Sequence, residues 1–439
     1  SNPFIRYQRT KPNTMSKERN NVAILGTGHI AAKMAATLQQ MKDVNCYAVA
    51  SRELIRAKAF AKEWGFKQAY GSYEELATDP QVDLVYIATP HSHHYEHARL
   101  CILNGKAVLC EKAFTANARQ AEELLRLAKE HNIFITEAIW TRYMPFSNTI
   151  RELVFSGVIG RPHMLTASLG YSIAYKERIA KPELCGGALL DLGVYPINFA
   201  RMIFGTDIED IQSHCVKNAN GVDLQESISF RYADGNMAVM QVTANCANDR
   251  QGIISGEKGY IVVDNINNPQ QAAIYDTDHQ LVKIYDCPPQ ISGYEYEVQA
   301  SIDALRRGLL ETPAMPHAET LAIMRLLDQL RQEWDVVYLI NPEIIMKKQL
   351  LVYAFALCCG LCSCGQNPTN LRIMSYNVHN CIGLDNVRDY NRIANIIKQA
   401  APDVVALQEL DSITQRNDGV YALKELETLT GMHGLFASA

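Results

Sequence analysis

The sequence lacks any strong bias of charge. Its net charge is −5 and its pI about 6.2, and it has no run of lysines or arginines, which argues against a polyanionic partner such as nucleic acid or an anionic lipid surface. An apolar run occupies residues 350–361, but its twelve residues fall short of the roughly 20 that a membrane-spanning helix needs. Paired cysteine spacing is missing too. Cys46, Cys101, Cys110, Cys185, Cys215, Cys246 and Cys287 are scattered before Met346, as reduced thiols of a cytosolic protein would be. What is present is a globular composition, 48% hydrophobic, with length for about two to four domains. Small-molecule chemistry is the function class that remains.

Residues 20–41 read NNVAILGTGHIAAKMAATLQQM. A β-rich apolar segment from Val22 runs into Gly26, Thr27 and Gly28, and His29 and Ile30 then open a helical pattern with Ile30, Met34 and Leu38 on one face. In that order, strand, glycine turn and helix let a diphosphate approach the backbone and rest on the amides of a helix N-terminus. Ala31 stands in place of the third glycine, and such turns also arise for steric reasons alone. The second strand, CYAVAS, ends at Ser51 and Arg52, where an NAD-binding chain would place Asp or Glu for the ribose 2′-hydroxyl. Arg52, with Arg56 one helical turn on, suits a 2′-phosphate instead, so the expected cofactor is NADP(H) in preference to NAD(H). The plain alternative is a pair of solvated arginines at a helix start.

Residues 82–114, VDLVYIATPHSHHYEHARLCILNGKAVLCEKAF, give a strand, a loop at Thr89 and Pro90, a helix, and a strand ending at Glu111 and Lys112. This alternation predicts a doubly wound parallel sheet, with its ligand beyond the carboxyl ends where those four residues fall. His91, His93, His94 and His97 have spacings that could ligate zinc. With no cysteine or carboxylate partner they are expected to be exposed histidines of a loop and a helix start.

The motifs GTGHIA, ATPHSHHYEHARLCILNGKAVLCEKAF and GGALLDLGVYPIN resemble the Gfo/Idh/MocA oxidoreductases over residues 20–338. EAIWTRYMP at 137–145 and the tyrosine of DLGVY resemble the branch of dimeric dihydrodiol dehydrogenases and NADP-dependent D-xylose dehydrogenases. The resemblance implies an α/β chain: an N-terminal Rossmann domain (20–140), then an α+β domain (141–341) with a large, mainly antiparallel open sheet that carries the substrate and forms homo-oligomers. The sequence supports the second domain independently, since ESISFRYADGNMAVMQVTAN alternates apolar residues around a turn at Asp234-Gly235.

Oxidising an alcohol requires a group to take its proton, and Tyr195 is the candidate. With an ordinary pKa near 10 it needs a nearby cation to favour the phenolate, which Lys112 could supply. The resemblance implies this same pair, Lys112 orienting and Tyr195 as general acid/base. Asp191 suits either orientation of Lys112 or of a substrate hydroxyl, or an N-cap. Asn198 stands where many relatives carry Asp, and Ala113 where proline is usual. Trp140, Arg142 and Tyr143 either line the pocket or pack between domains. The expected substrate is a sugar or vicinal diol, in either redox direction.

Residues 346–368, MKKQLLVYAFALCCGLCSCGQNP, have the order of a lipoprotein export signal, with Cys364 in the lipidation position. A zinc reading of Cys359, Cys362 and Cys364 lacks a histidine nearby. Residues 369–439 resemble the start of an endonuclease/exonuclease/phosphatase domain, which implies Mg²⁺ ligation by Asn377 and Glu409. The family's later metal and base segments do not follow, so no nuclease activity is expected. Met346 looks like the start of a second protein joined to a complete oxidoreductase, and residues 1–14 like upstream translation. The expectation is a bacterial cytoplasmic enzyme whose internal signal does not act. The alternative is a non-catalytic NADP(H) sensor, or a membrane-tethered lipoprotein with a phosphatase-like tail.

Overall fold

The computed structural model describes residues 19–338 and, after them, 372–378, 381, 388–408 and 422–434. The export-signal segment 346–368 and Glu409 lie outside the described residues.

From Asn20 the chain alternates strand and helix: β1 (Asn20–Leu25), α1 (His29–Leu38), β2 (Val44–Ala50), α2 (Leu54–Trp64), β3 (Gln68–Tyr70), α3 (Tyr73–Thr78), β4 (Leu84–Ile87), α4 (His94–Leu103), β5 (Ala107–Glu111), α5 (Ala118–His131) and β6 (Ile135–Ala138). Val22 to Leu25 and Leu84 to Ile87 are wholly buried, as in parallel strands covered on both faces. The six strands lie in the order β3-β2-β1-β4-β5-β6, all parallel. The order reverses between β1 and β4, which opens a crevice at their carboxyl ends. The doubly wound sheet expected from the alternation is present.

A 3-10 turn (Trp140–Arg142) and α6 (Pro145–Phe155) lead to β7 (Pro162–Gly170), α7 (Glu177–Ala180), and a π-helical turn (Leu189–Gly193) that runs into α8 (Val194–Phe204). Next come β8 (Ile208–Lys217), β9 (Asp223–Tyr232), β10 (Met237–Thr243), β11 (Gly252–Gly256), β12 (Gly259–Val263), β13 (Gln271–Asp276) and β14 (Leu281–Asp286). They form a sheet in the order β14-β13-β12-β11-β7-β10-β9-β8, antiparallel except where β7 meets β10. The predicted hairpin joins β9 to β10, with Gly235 at φ +87°, a conformation glycine adopts freely. One face of this sheet packs against α8. On β10, buried Ala238 and Met240 alternate with exposed Met237 and Val239.

Two later helices return to the first sheet, α9 (Glu295–Arg306) and α10 (His317–Glu333). Val298 and Ile302 join Val22, Ile24 and Leu109 in one buried cluster. Asp328 of α10 accepts a hydrogen bond from the first amide of α5, Ala118, at 2.8 Å.

The described residues from Arg372 on belong to a separate compact unit. Here β15 (Ile373–Asn377) and β16 (Val404–Gln408) pair in parallel, with α11 (Tyr390–Ala400) between them and α12 (Ala422–Thr430) after them. Ile393, Ile397 and Leu426 make its small core, and Asp389 caps α11 by accepting from the Asn391 and Arg392 amides. The expected strand, helix, strand order is present. Asn377 ends β15 opposite Gln408. Among the described residues no helix is long and apolar enough to cross a membrane, and no three His, Cys, Asp or Glu side chains are grouped to hold a metal.

Candidate active site

The crevice begins at the glycine turn. Gly26 adopts φ +107°, and a Cβ there would lie 3.0 Å from the Ala88 carbonyl oxygen, so glycine is required for β1 to turn beside β4. Gly28 is different: a Cβ on it would meet nothing within 4 Å. Thr27 and Ile30 are half-buried beside exposed Gly28 and His29. Where α3 and α5 are capped by Ser72 and Asn117, α1 has no side-chain cap and no acidic residue in its first turn. Its amides are available to an anion, and the open space at Gly28 fits a diphosphate.

Beyond β2, Ser51 is buried and Arg52 exposed. Arg56 makes a 3.9 Å ion pair with Glu53, and both are about 60% exposed, so it costs little to redirect. Beyond β4, Thr89 is half-buried and Pro90 exposed, and the Thr89 hydroxyl lies 2.9 Å from His97 Nδ1.

His93 is exposed as the sequence suggested, but His91 and His94 depart from that expectation. His94 is buried, with Nδ1 2.9 Å from the Ala113 carbonyl and Nε2 2.8 Å from that of Thr89. Half-buried His91 lies between the carbonyls of Lys112 (3.1 Å) and Cys185 (3.3 Å). Burial pushes His91 down to about 3 and His94 to about 4. A neutral imidazole has one N–H, so each can donate to one of the two carbonyls it faces, and both pack against Lys112 and Ala113, whose peptide is cis.

Glu111 also differs from its expected place on the cofactor. It is buried, and its carboxylate accepts from the Tyr86 hydroxyl and, at 3.1 Å, from the Lys112 amide. Facing inward, it offers the crevice its backbone alone. Lys112 faces the other way. Its ammonium donates to the Asp191 carbonyl at 2.6 Å, lies 3.7 Å from Asp191 Oδ1, and stands 4.9 Å from the centroid of the Tyr195 ring. Asp191 sits inside the π-helical turn rather than capping a helix. Its π-register partner five residues on, Pro196, has no N–H to give its carbonyl. Burial alone would raise the Asp191 carboxyl, but Lys112 and Arg178 outweigh it and bring it to about 2.

Tyr195 is buried. Trp140 Nε1 donates to its hydroxyl at 3.0 Å, and the indole stacks on Tyr294 with centroids 4.2 Å apart. Gly293 makes room, since a Cβ there would come 2.8 Å from the Trp140 ring. Burial first, then Tyr294 and Glu111, push the Tyr195 phenol well above its ordinary value. The lowering that the sequence suggested for a phenol beside Lys112 is outweighed here by burial. Of the neighbours left open by the sequence, Tyr143 packs inward against Thr136. Arg142 is held by Asn198 and Glu319, the latter also bridging to Arg201. Asn198 spends its other hydrogen bond on the Val194 carbonyl, so it is structural here. Arg178, ion-paired to Asp191, and Tyr294 carried no motif and were missed.

A dinucleotide-binding parallel sheet, set beside an open sheet whose helix brings a tyrosine and an aspartate to a lysine at its carboxyl edge, defines a nicotinamide-dependent oxidoreductase. Residues 20–138 match the family described as "Oxidoreductase family, NAD-binding Rossmann fold" and residues 147–262 the "GFO/IDH/MocA C-terminal domain". The chain is 32% identical over 323 residues to trans-1,2-dihydrobenzene-1,2-diol dehydrogenase of Xenopus tropicalis, covering 72% of this chain and 98% of that protein. For the Homo sapiens enzyme of the same name the identity is 31%, covering 72% and 97%. This protein belongs to the Gfo/Idh/MocA oxidoreductase family. A 3-ketoreductase from Actinomadura kijaniata, solved with TDP-benzene and NADP, superposes with a TM-score of 0.64 at 25% identity, over 71% of this chain and 97% of that one. An aldose-aldose oxidoreductase from Caulobacter crescentus shares the fold, with a TM-score of 0.65 at 19% identity over 72% and 97% of the two chains.

Proposed function

We propose that this protein interconverts a sugar or vicinal-diol hydroxyl with the corresponding carbonyl, using NADP(H) in preference to NAD(H), with Tyr195 as general acid/base and Lys112 as the orienting cation. The observation that carries this is the Lys112–Asp191–Tyr195 constellation beside the open Gly28 turn. Gly26, Thr27, Gly28, His29 and Ile30 would hold the diphosphate, Ser51, Arg52 and Arg56 the 2′-phosphate, and Thr89, Pro90 and the backbone of Glu111 and Lys112 the nicotinamide half. The bound cofactor supplies hydride acceptance or donation at its nicotinamide ring. The chain's own residues do the rest. Asp191 fixes the Lys112 ammonium, which draws the substrate oxygen toward Tyr195. Trp140 holds the phenol oxygen as an acceptor, so the phenol hydrogen is left for the substrate carbonyl. The dihydrodiol dehydrogenase relatives, matched over nearly their full length, support a diol, and the 3-ketoreductase supports a sugar. Turnover of NADP⁺, with NAD⁺ in parallel, against D-xylose, D-glucose and trans-dihydrodiols tests the reading; no turnover despite tight NADPH binding would favour the sensor alternative.

Arg52→Glu is expected to raise the Kd for NADPH by at least about tenfold and to leave NADH binding nearly unchanged, as loss of a charge-assisted phosphate contact implies. Equal weakening of both in fluorescence titrations would take the 2′-phosphate away from Arg52. We also assign the exposed face of the second sheet to a homo-oligomer. Met164 and Met237 are register partners there, and with Val239 each is more than a third exposed, an apolar patch suited to self-association. Light scattering is expected to give a dimer or larger, and a monomeric mass would refute this. The described cysteines are free thiols, which fits the reducing bacterial cytoplasm we assign. Magnesium at Asn377 and Glu409 remains an implication of the tail's sequence alone.

A further inference from the structure

Asp191 and Tyr195 stand on one stretch of chain, the π-helical turn that runs into α8, and that stretch rests on two acids. Asp223, at the start of β9, is fully buried, and Glu226, three residues on, is only 5% exposed. Asp223 Oδ2 accepts from the amide of Leu189, the first residue of the turn, at 2.6 Å. Glycines let the turn lie this close. A Cβ on Gly187 would strike the Asp223 carboxylate, and one on Gly193 would come 3.1 Å from Glu226 Oε2. Gly193 is the midpoint between Asp191 and Tyr195, so Glu226 lies against the segment that sets both.

The cations nearby are committed elsewhere. Lys217, opposite Asp223 on β8, gives its ammonium to the Trp334 carbonyl at 2.6 Å. Arg331 of α10 pairs with Asp328 and lies 4.4 Å from the centroid of the Tyr338 ring. Glu226 itself faces Cys215 on β8 and Val242 on β10 in register. Burial pushes the Cys215 and Cys185 thiols and the Tyr338 phenol up, so none of these brings a charge. Taken as carboxylates, both oxygens of Glu226 and Oδ1 of Asp223 are buried with no hydrogen-bond donor among the described residues. Two ionised acids in that setting would repel each other and stay unpaired. Burial first, then the charge of Asp223 and a hydrogen bond with its side chain, push Glu226 well above the ordinary carboxyl range.

We propose that Glu226 is a positioning residue that carries a proton and donates it to Asp223, so that the pair bears a single charge and holds the turn of Asp191 and Tyr195 in place. One hydrogen then satisfies an oxygen of each acid, and Asp223 keeps its other oxygen for the Leu189 amide. Glu226 acts on the reaction through its contact at Gly193. This rests on the reading that Asp191 and Tyr195 serve the reaction, whereas the shared proton can be observed without it.

The test joins infrared spectra of the full chain with its kinetics. The difference spectrum between wild type and Glu226→Gln at about pH 7 is expected to contain a deuterium-sensitive carboxylic-acid carbonyl band. The wild-type thermal midpoint should also fall relative to that of Glu226→Gln as pH rises from about 5 to 8, because the unfolded acid ionises near 4.3 while the folded one keeps its proton. Glu226→Leu has no donor for Asp223. It is expected to lose at least about tenfold in kcat with the NADPH Kd and the substrate KM within about twofold, and Glu226→Gln, whose amide N–H can replace the acid hydrogen, to recover that loss. Gly193→Ala leaves both acids intact and pushes the turn off Glu226, so it should lower kcat in the same way, and it decides the kinetics if Glu226→Leu does not fold. A difference spectrum without the band overturns the shared proton. Wild-type kcat in Gly193→Ala, or a Glu226→Gln variant as slow as Glu226→Leu, overturns the positioning role. A wild type that turns over no substrate overturns the catalytic reading instead, and the infrared band still decides the proton.

Discussion

A Tyr195→Phe variant is expected to lose at least about a hundredfold in turnover while binding NADP(H) almost as well as the wild type, the scale of a lost general acid/base. The reason is the geometry of one oxygen. An indole N–H can only donate, so its 3.0 Å contact makes the Tyr195 oxygen the acceptor and leaves the phenol hydrogen for substrate. Burial keeps that hydrogen in place by pushing the phenol well above its ordinary pKa. The two reaction directions should therefore respond differently to pH. Carbonyl reduction uses the protonated phenol, the populated form between about pH 6 and 9, and is expected to be flat there. Alcohol oxidation uses the phenolate, whose small population grows about tenfold for each pH unit below the pKa, so its rate should rise with pH. Full activity in Tyr195→Phe would remove the tyrosine from this role, and a flat oxidation profile would remove the phenolate.

Lys112→Met is expected to cost at least about a hundredfold as well, again with cofactor affinity nearly intact. The ammonium is the point at which the two domains' contributions meet: it comes from the end of β5 and binds both the carbonyl and the carboxylate of Asp191. Without it the substrate oxygen loses its cation, and Asp191 remains with Arg178. A second signature separates this from simple misfolding. Asp191 is depressed to about 2, below its unfolded value near 3.9. The stability it contributes is therefore present above about pH 4 and is lost as pH falls through about 2. With Lys112 removed, Asp191 titrates higher, so acid unfolding of the variant should begin at a higher pH. Wild-type turnover in Lys112→Met would end the orienting role, and an unchanged acid limb would show that the pair carries no stability.

The first sheet was legible because its signals are local. Buried parallel strands read as apolar runs, and the Gly26 and Gly28 turn records a backbone that side chains would block or an anion would fill. The histidines of the loop after β4 were not legible. His91 and His94 look like surface residues until the carbonyls of Lys112, Ala113 and Cys185 are brought to them, and those partners lie 19 to 94 residues away along the chain. Glu111 shows the same limit. Strand alternation placed it at the crevice edge, and the Tyr86 hydroxyl, 25 residues before it, turned its carboxylate inward.

By itself, then, the sequence determined the order of elements, the two-sheet architecture and the family, and it proposed Lys112, Asp191 and Tyr195 for the site, since periodicity, glycine turns and motif spacing are properties of neighbouring residues. Tertiary structure alone decided what those groups are chemically. Burial pushes the Tyr195 phenol above its ordinary value, where the sequence pointed to a lowering by Lys112, the aspartate is shared between Lys112 and an arginine no motif announced, and an indole 55 residues before the tyrosine donates to its oxygen. Protonation and hydrogen-bond direction depend on solvent exclusion and on charges brought together through space, and neither is written in the spacing of residues along a chain.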